Sequence, residues 1–183
     1  MPFITAQLNA KLQPLHRGDL FEDPLDAFLQ EHGLGQTSGG GTLLENDGEV
    51  AYCDVEIEVE SLSEQTLQRV IGELERLGAP QGSWLKFGGE RADIPLGKLE
   101  GLGVYLNGTD LPPEVYRECD SNVVYSELEK RIEGMGSIFS WWDGATETAL
   151  YLYGDSFAAM RDRIADFLAD YPLCQRCRVV QIA

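Results

Sequence analysis

The run Tyr52-Cys53-Asp54-Val55-Glu56-Ile57-Glu58-Val59-Glu60 places a carboxylate at every second position from Asp54 onward. In an extended strand, residues two apart share a face at a spacing of roughly 6.6–6.8 Å. Cys53, Val55, Ile57 and Val59 then take the apolar face; Tyr52, Asp54, Glu56, Glu58 and Glu60 take the other. Such a row concentrates negative charge and suits a basic partner, including one whose own groove is built for phosphates. A simple solvated strand face is the plain alternative. A cation site is a third, but carboxylates along one straight strand do not wrap a metal without ligands from elsewhere.

A second set of candidate contacts is aromatic. Trp141-Trp142 are adjacent, so on a strand they point to opposite faces, whereas Tyr151 and Tyr153 share one. Trp and Tyr dominate binding hot spots. These side chains are either apolar anchors for a partner or part of packing between the two halves of the chain.

Catalytic signatures are poor. Only His16 and His32 exist, one in a Pro-Gly loop and one at the expected end of a helix, where a cation is favourable without any chemistry. No serine-hydrolase, zinc-protease or Cys-His signature occurs. Neither an enzyme nor a bound cofactor is expected. Cys174 and Cys177 form a CxxC. It precedes an apolar, strand-like terminus instead of opening a helix after a strand, and it has no second ligand pair for zinc. Both are expected to be structural or incidental thiols. The stretch Thr37-Ser38-Gly39-Gly40-Gly41-Thr42 lacks the lysine and spacing of a phosphate loop, and reads as a flexible connection.

The 183 residues carry 31 acids against 14 Lys and Arg, a formal net charge of −17. That balance repels nucleic acid and anionic membrane surfaces and attracts basic proteins. The N-terminus lacks the basic and apolar regions of a secretory signal, and no apolar run is long enough to span a bilayer. A reducing cytoplasm with free thiols is the expected setting for Cys53, Cys119, Cys174 and Cys177.

The elements that position these residues read as one pattern written twice. Ile4, Ala6, Leu8, Ala10 and Leu12 alternate with polar residues as a half-buried strand. A loop with Pro14 and Gly18 leads to a short helix from Asp23-Pro24 to Gly33. Leu43-Leu44, the turn Asn46-Asp47-Gly48 and a return strand from Val50 to Glu60 make a hairpin. Ser61 or Ser63 caps a helix striped by Leu67, Val70, Ile71 and Leu74, and Trp84, Leu85 and Phe87 close the unit as a strand. Residues 88–99, rich in Gly, Pro and mixed charge, read as a linker.

The order then returns: a strand at Leu102–Leu106, a loop at Pro112-Pro113 and a helix through Val124, Leu128 and Ile132. A hairpin turns at Asp143-Gly144, Asp155 or Ser156 caps a helix through Met160, Ile164 and Phe167, and a strand runs over Val179–Ile182. Leu8-Asn9 matches Leu106-Asn107, Pro14 matches Pro112, and Asp47-Gly48 matches Asp143-Gly144. The expectation is α+β: a tandem duplication of a β-α-β-β-α-β ferredoxin-like unit, residues 1–87 and 100–183.

The segments Leu99-Glu100-Gly101-Leu102-Gly103-Val104-Tyr105-Leu106-Asn107-Gly108-Thr109-Asp110-Leu111-Pro112, Thr146–Tyr153 and Tyr171-Pro172-Leu173-Cys174, with Gly39–Thr42 and Tyr52-Cys53-Asp54, carry a resemblance over nearly the whole chain. It is similar to a bacterial family of immunity-type proteins that accompany polymorphic or secreted toxins. The resemblance implies a cognate toxin bound and silenced in the producing cell, and a nuclease toxin, usually basic, would suit the acidic surface. The contacts expected are Asp54, Glu56, Glu58 and Glu60 with Tyr52, Trp141, Trp142, Tyr151 and Tyr153. The rival reading is a small-molecule or metal-binding regulatory module. A carboxylate enzyme is a third reading, which would need two acids in one deep pocket.

Overall fold

The structure is a computed structural model describing residues 1–89 and 91–183. The chain divides into two compact units, residues 1–99 and 100–182.

In the first unit, β1 (Phe3–Leu8), β2 (Gly35–Leu44), β3 (Val50–Val59), β4 (Ser83–Phe87) and β5 (Ile94–Leu96) form one sheet in the order β2-β3-β1-β4-β5. Every pairing in it is antiparallel. The helices are α1 (Pro14–Arg17), α2 (Asp23–Glu31) and α3 (Glu64–Arg76). In the second unit, β6 (Glu100–Asn107), β7 (Gly136–Asp143), β8 (Glu147–Gly154) and β9 (Arg178–Gln181) order as β7-β8-β6-β9, with α4 (Pro113–Glu118), α5 (Ser121–Arg131) and α6 (Phe157–Asp170). Both units place their first strand centrally between the third and fourth, with the second outside the third. The fold is therefore α+β, a tandem β-α-β-β-α-β ferredoxin-like duplication.

Local chemistry explains the elements. Ser63 Oγ accepts the Thr66 N–H at 3.2 Å and starts α3, whose stripe Leu67, Val70, Ile71 and Leu74 is buried. Each such side chain contributes about 1.5–3 kcal/mol of burial. Gly78, at φ +100°, ends the segment in a conformation that L side chains resist. Ser156 Oγ caps α6 through the Ala159 N–H. Leu102, Val104, Leu106, Leu150 and Leu152 meet Val124, Leu128, Met160 and Ile164 in the second core.

Several expectations are corrected. The first strand ends at Leu8, not Leu12, because the Asn9 N–H leaves the ladder for Ser83 Oγ at 3.0 Å; Ala10 and Leu12 remain buried beyond it. The expected Pro14–Gly18 loop is helical. Pro14 occupies the first turn, where its missing N–H costs nothing, and a π-helical turn (Gly18–Glu22) joins α1 to α2. Pro113 likewise opens α4. The glycine-rich stretch is the body of β2, not a flexible connection. In the expected linker, β5 pairs with β4, and the Lys98 N–H binds Ala79 O at 2.9 Å. Glu90, in that stretch, lies outside the described residues.

All four cysteines are free thiols. Cys174 is buried at the end of a 3-10 turn (Pro172–Cys174), not at the start of a helix. Among the described residues no helix is long and apolar enough to cross a membrane, and no group of three His, Cys, Asp or Glu is arranged to hold a metal ion.

Candidate partner-binding face

The helices of the first unit cover one face of its sheet and bury Ile4, Ala6 and Leu8 of β1, Cys53, Val55, Ile57 and Val59 of β3, and Leu85 of β4. The opposite face is open. Register places its side chains in rows across the strands. Asp54 lies opposite Gln7 on one side and Gly41 on the other; Glu56 lies between Thr5 and Gly39; Glu58 lies between Phe3 and Gln36. Trp84 and Lys86 of β4 extend the first two rows beyond Gln7 and Thr5.

Asp54, Glu56 and Glu58 thus stand side by side on β3, each half-buried at its base. Gln7 Nε2 donates to Asp54 at 3.3 Å, and Gln36 Nε2 donates to Glu58 at 3.1 Å. No described residue forms an ion pair with any of the three. Lys86 shares this face, on the far side of Thr5 from Glu56, while Lys11 pairs with Glu49 and Arg17 with Glu22. Glu60 belongs to the row less closely than expected. It is exposed in a bend past the end of β3, its N–H bound to Leu34 O at 2.8 Å.

The glycines of β2 shape the edge of this face. Gly39 and Gly41 point toward it and add no side chains beside Glu56 and Asp54. Gly40 points the other way, under the helices. A Cβ there would collide with the Asp54 carbonyl and the Glu22 carboxylate. Arg17 locks this packing, with Nε on Glu22 at 2.5 Å and Nη1 on Thr42 Oγ1 at 2.6 Å. Glycine is required at position 40 because that face must admit Glu22 and Arg17 closely, and Gly39, at φ +146°, takes a conformation that L side chains rarely adopt. The signal was present in the sequence but reads first as flexibility.

Beside the acids runs a groove of about 490 Å³ lined by Phe3, Thr5, Gln7, Tyr52, Asp54 and Lys86. Tyr52 lies half-buried on the open face opposite Leu43, and Leu43, Phe3 and Trp84 are exposed. Sequence reasoning missed Phe3, Leu43 and Trp84 as members of this surface; their positions in the alternation could have placed them on it.

The aromatics of the second unit are placed differently. Tyr151 and Tyr153 do share the sheet face away from that unit's helices, but both are fully buried, so neither is an exposed anchor. Tyr105 lies edge-on to Tyr151, with centroids 6.2 Å apart, and Phe139 packs on Tyr153 at 4.9 Å. Arg178 stacks over Tyr105 and forks onto Glu147 at 2.7–2.8 Å. Trp141, opposite Leu150, is 40% exposed; Trp142, opposite Ala149, is half-buried with its ring folded over Gly144.

No known family model matches the chain, and no curated protein is significantly similar to it. Among solved structures, the chain is similar to the crystal structure of the first two RRM domains of yeast poly(U) binding protein (Pub1), at 10% identity and a TM-score of 0.27, over 98% of this chain and 99% of that one. A likeness that weak carries no functional argument.

Proposed function

We propose that this chain is an immunity-type protein that binds a basic protein toxin, such as a nuclease, and silences it by occlusion. The observation supporting this reading is the row Asp54, Glu56 and Glu58 on an open sheet face, with which no described residue forms an ion pair. A site of this kind attracts a basic surface over distance and competes with a phosphate backbone for it. The flanking Phe3, Tyr52 and Trp84 supply apolar area around the charges. The net charge of −17 disfavours nucleic acid itself as the partner.

The test is a tagged pull-down from the native bacterium, washed across a salt series and read by mass spectrometry. A single basic protein retained in a stoichiometric complex, and lost at high salt, supports the reading. Recovery of no stoichiometric partner at low salt, in cells that make both proteins, overturns it.

A further inference from the structure

The outer edge of β2 is unlike the rest of this acidic surface. Gly35–Leu44 is a ten-residue strand at the end of its sheet with no charged residue and no proline. Sheet edges are ordinarily protected by charge, proline or brevity, because unpaired N–H and C=O groups invite another strand. Protection here is confined to the two ends. A bulge falls between Thr37 and Gly39, where Asp26 takes the Thr37 N–H at 2.9 Å, and a second register shift falls between Leu43 and Leu44. Beyond the first, residues 39–44 are exposed apart from the half-buried Thr42, and Leu43 and Leu44 are 50% and 56% exposed.

We infer that a partner adds an extended basic segment to this edge, pairing backbone to backbone with residues 39–43 and laying alternate Lys or Arg side chains across Gly39 and Gly41 onto Glu56 and Asp54. The register supports this. An added strand would lie about 10 Å from β3, two strand spacings away, and its side chains on the open face would sit beside the two glycines. With no side chain in between, a Lys or Arg reaches the carboxylates directly. Backbone pairing supplies affinity, and the charged positions set the sequence preference. The inference rests on the basic-partner reading and adds how that partner is held.

The probe is a ten-residue peptide alternating Lys and Val, beside the same peptide N-methylated at alternate amides. N-methylation removes strand donors without altering charge. The expected result is slowed amide exchange along β2 with the unmodified peptide. Affinity should fall about tenfold or more on N-methylation, and equally with Gly41→Val, which puts a side chain in the gap. A Cβ at Gly41 meets no atom within 4 Å, and valine favours a strand, so this variant should fold. Equal binding of the two peptides, or binding that leaves β2 exchange unchanged, overturns the edge pairing while leaving the acidic face as the site. Failure of the Lys-Val peptide to bind at low salt also overturns it. Binding along β2 that is indifferent to Asp54→Lys and Glu56→Lys overturns the carboxylate contacts and with them the acidic-face reading, while leaving the edge pairing in place.

Discussion

Gly41 lies directly across the β2–β3 ladder from Asp54, and no side chain stands between that carboxylate and the sheet edge. The helix face requires glycine at position 40, and the open face of the same strand exposes the acids. One short glycine run thus serves packing on one side and access on the other.

Reversing charge in the row should separate binding from folding. Glu56→Lys with Glu58→Lys removes mutual repulsion and breaks no ion pair among the described residues, only the exposed Gln36–Glu58 hydrogen bond, so unfolding free energy should change by no more than about 0.5 kcal/mol. Affinity for the basic protein recovered by pull-down should drop at least tenfold at low salt, and the gap should narrow toward 1 M salt, where the screening length is about 3 Å. Interferometry across a salt series measures both. A pair of reversals without effect on binding would remove the row from the interface.

Arg17 is the clasp between the helical segment and β2. Its side chain is 10% exposed and that of its partner Glu22 is 21% exposed. Arg17→Met leaves a largely buried carboxylate unpaired and should cost about 2–3 kcal/mol. Adding Glu22→Met should restore stability to within about 1 kcal/mol of the parent. Urea unfolding of the two variants gives both values.

Gly97 should be the least replaceable glycine near β5. Its φ is +101°, and a Cβ would collide with the Pro80 carbonyl. Gly97→Ala should destabilise by more than about 2 kcal/mol through combined strain and clash. Denaturant midpoints check this.

The buried thiols make stability fall in alkali. Burial pushes the Cys53 thiol up from 9.0 to about 12, with the Asp54 and Glu22 charges adding to the rise and Arg17 opposing it. Burial, helped by Cys177 and Cys119, pushes Cys174 to about 12 as well. The folded chain holds these protons where the unfolded chain releases them. Their contribution is therefore intact below about pH 9 and is lost as pH rises toward 12. Urea midpoints should be level from pH 7 to 8.5 and decline by pH 10.5. Native Cys53 should resist alkylation at pH 8 while the unfolded chain reacts.

Much of this was legible because it is periodic. The alternation in β3, the stripe and Ser63 cap of α3 and the Asp-Gly hairpin turns are local signals whose physics needs no tertiary context. That Tyr151 and Tyr153 share a face followed from alternation. Their burial did not, because the same pattern describes a covered face and a bare one. The helical entry at Pro14 was hidden because proline and glycine also punctuate loops. The strand nature of Gly39-Gly40-Gly41 was hidden because the reason for it, Glu22 and Arg17 under Gly40, comes from a distant segment. The pairing of β5 was hidden by Pro95, which a short edge strand tolerates.

Three consecutive glycines inside β2 carry a dynamic consequence. Each loses more conformational freedom on ordering than any other residue, roughly 0.5–1 kcal/mol beyond alanine. Their segment has no strand on its outer side to share the cost. Residues 39–44 should thus be the part of the sheet that detaches at the least free energy, by local opening that leaves the core of β1, β3 and β4 intact. Hydrogen exchange should therefore find a slowly exchanging floor and a rim that opens independently of it.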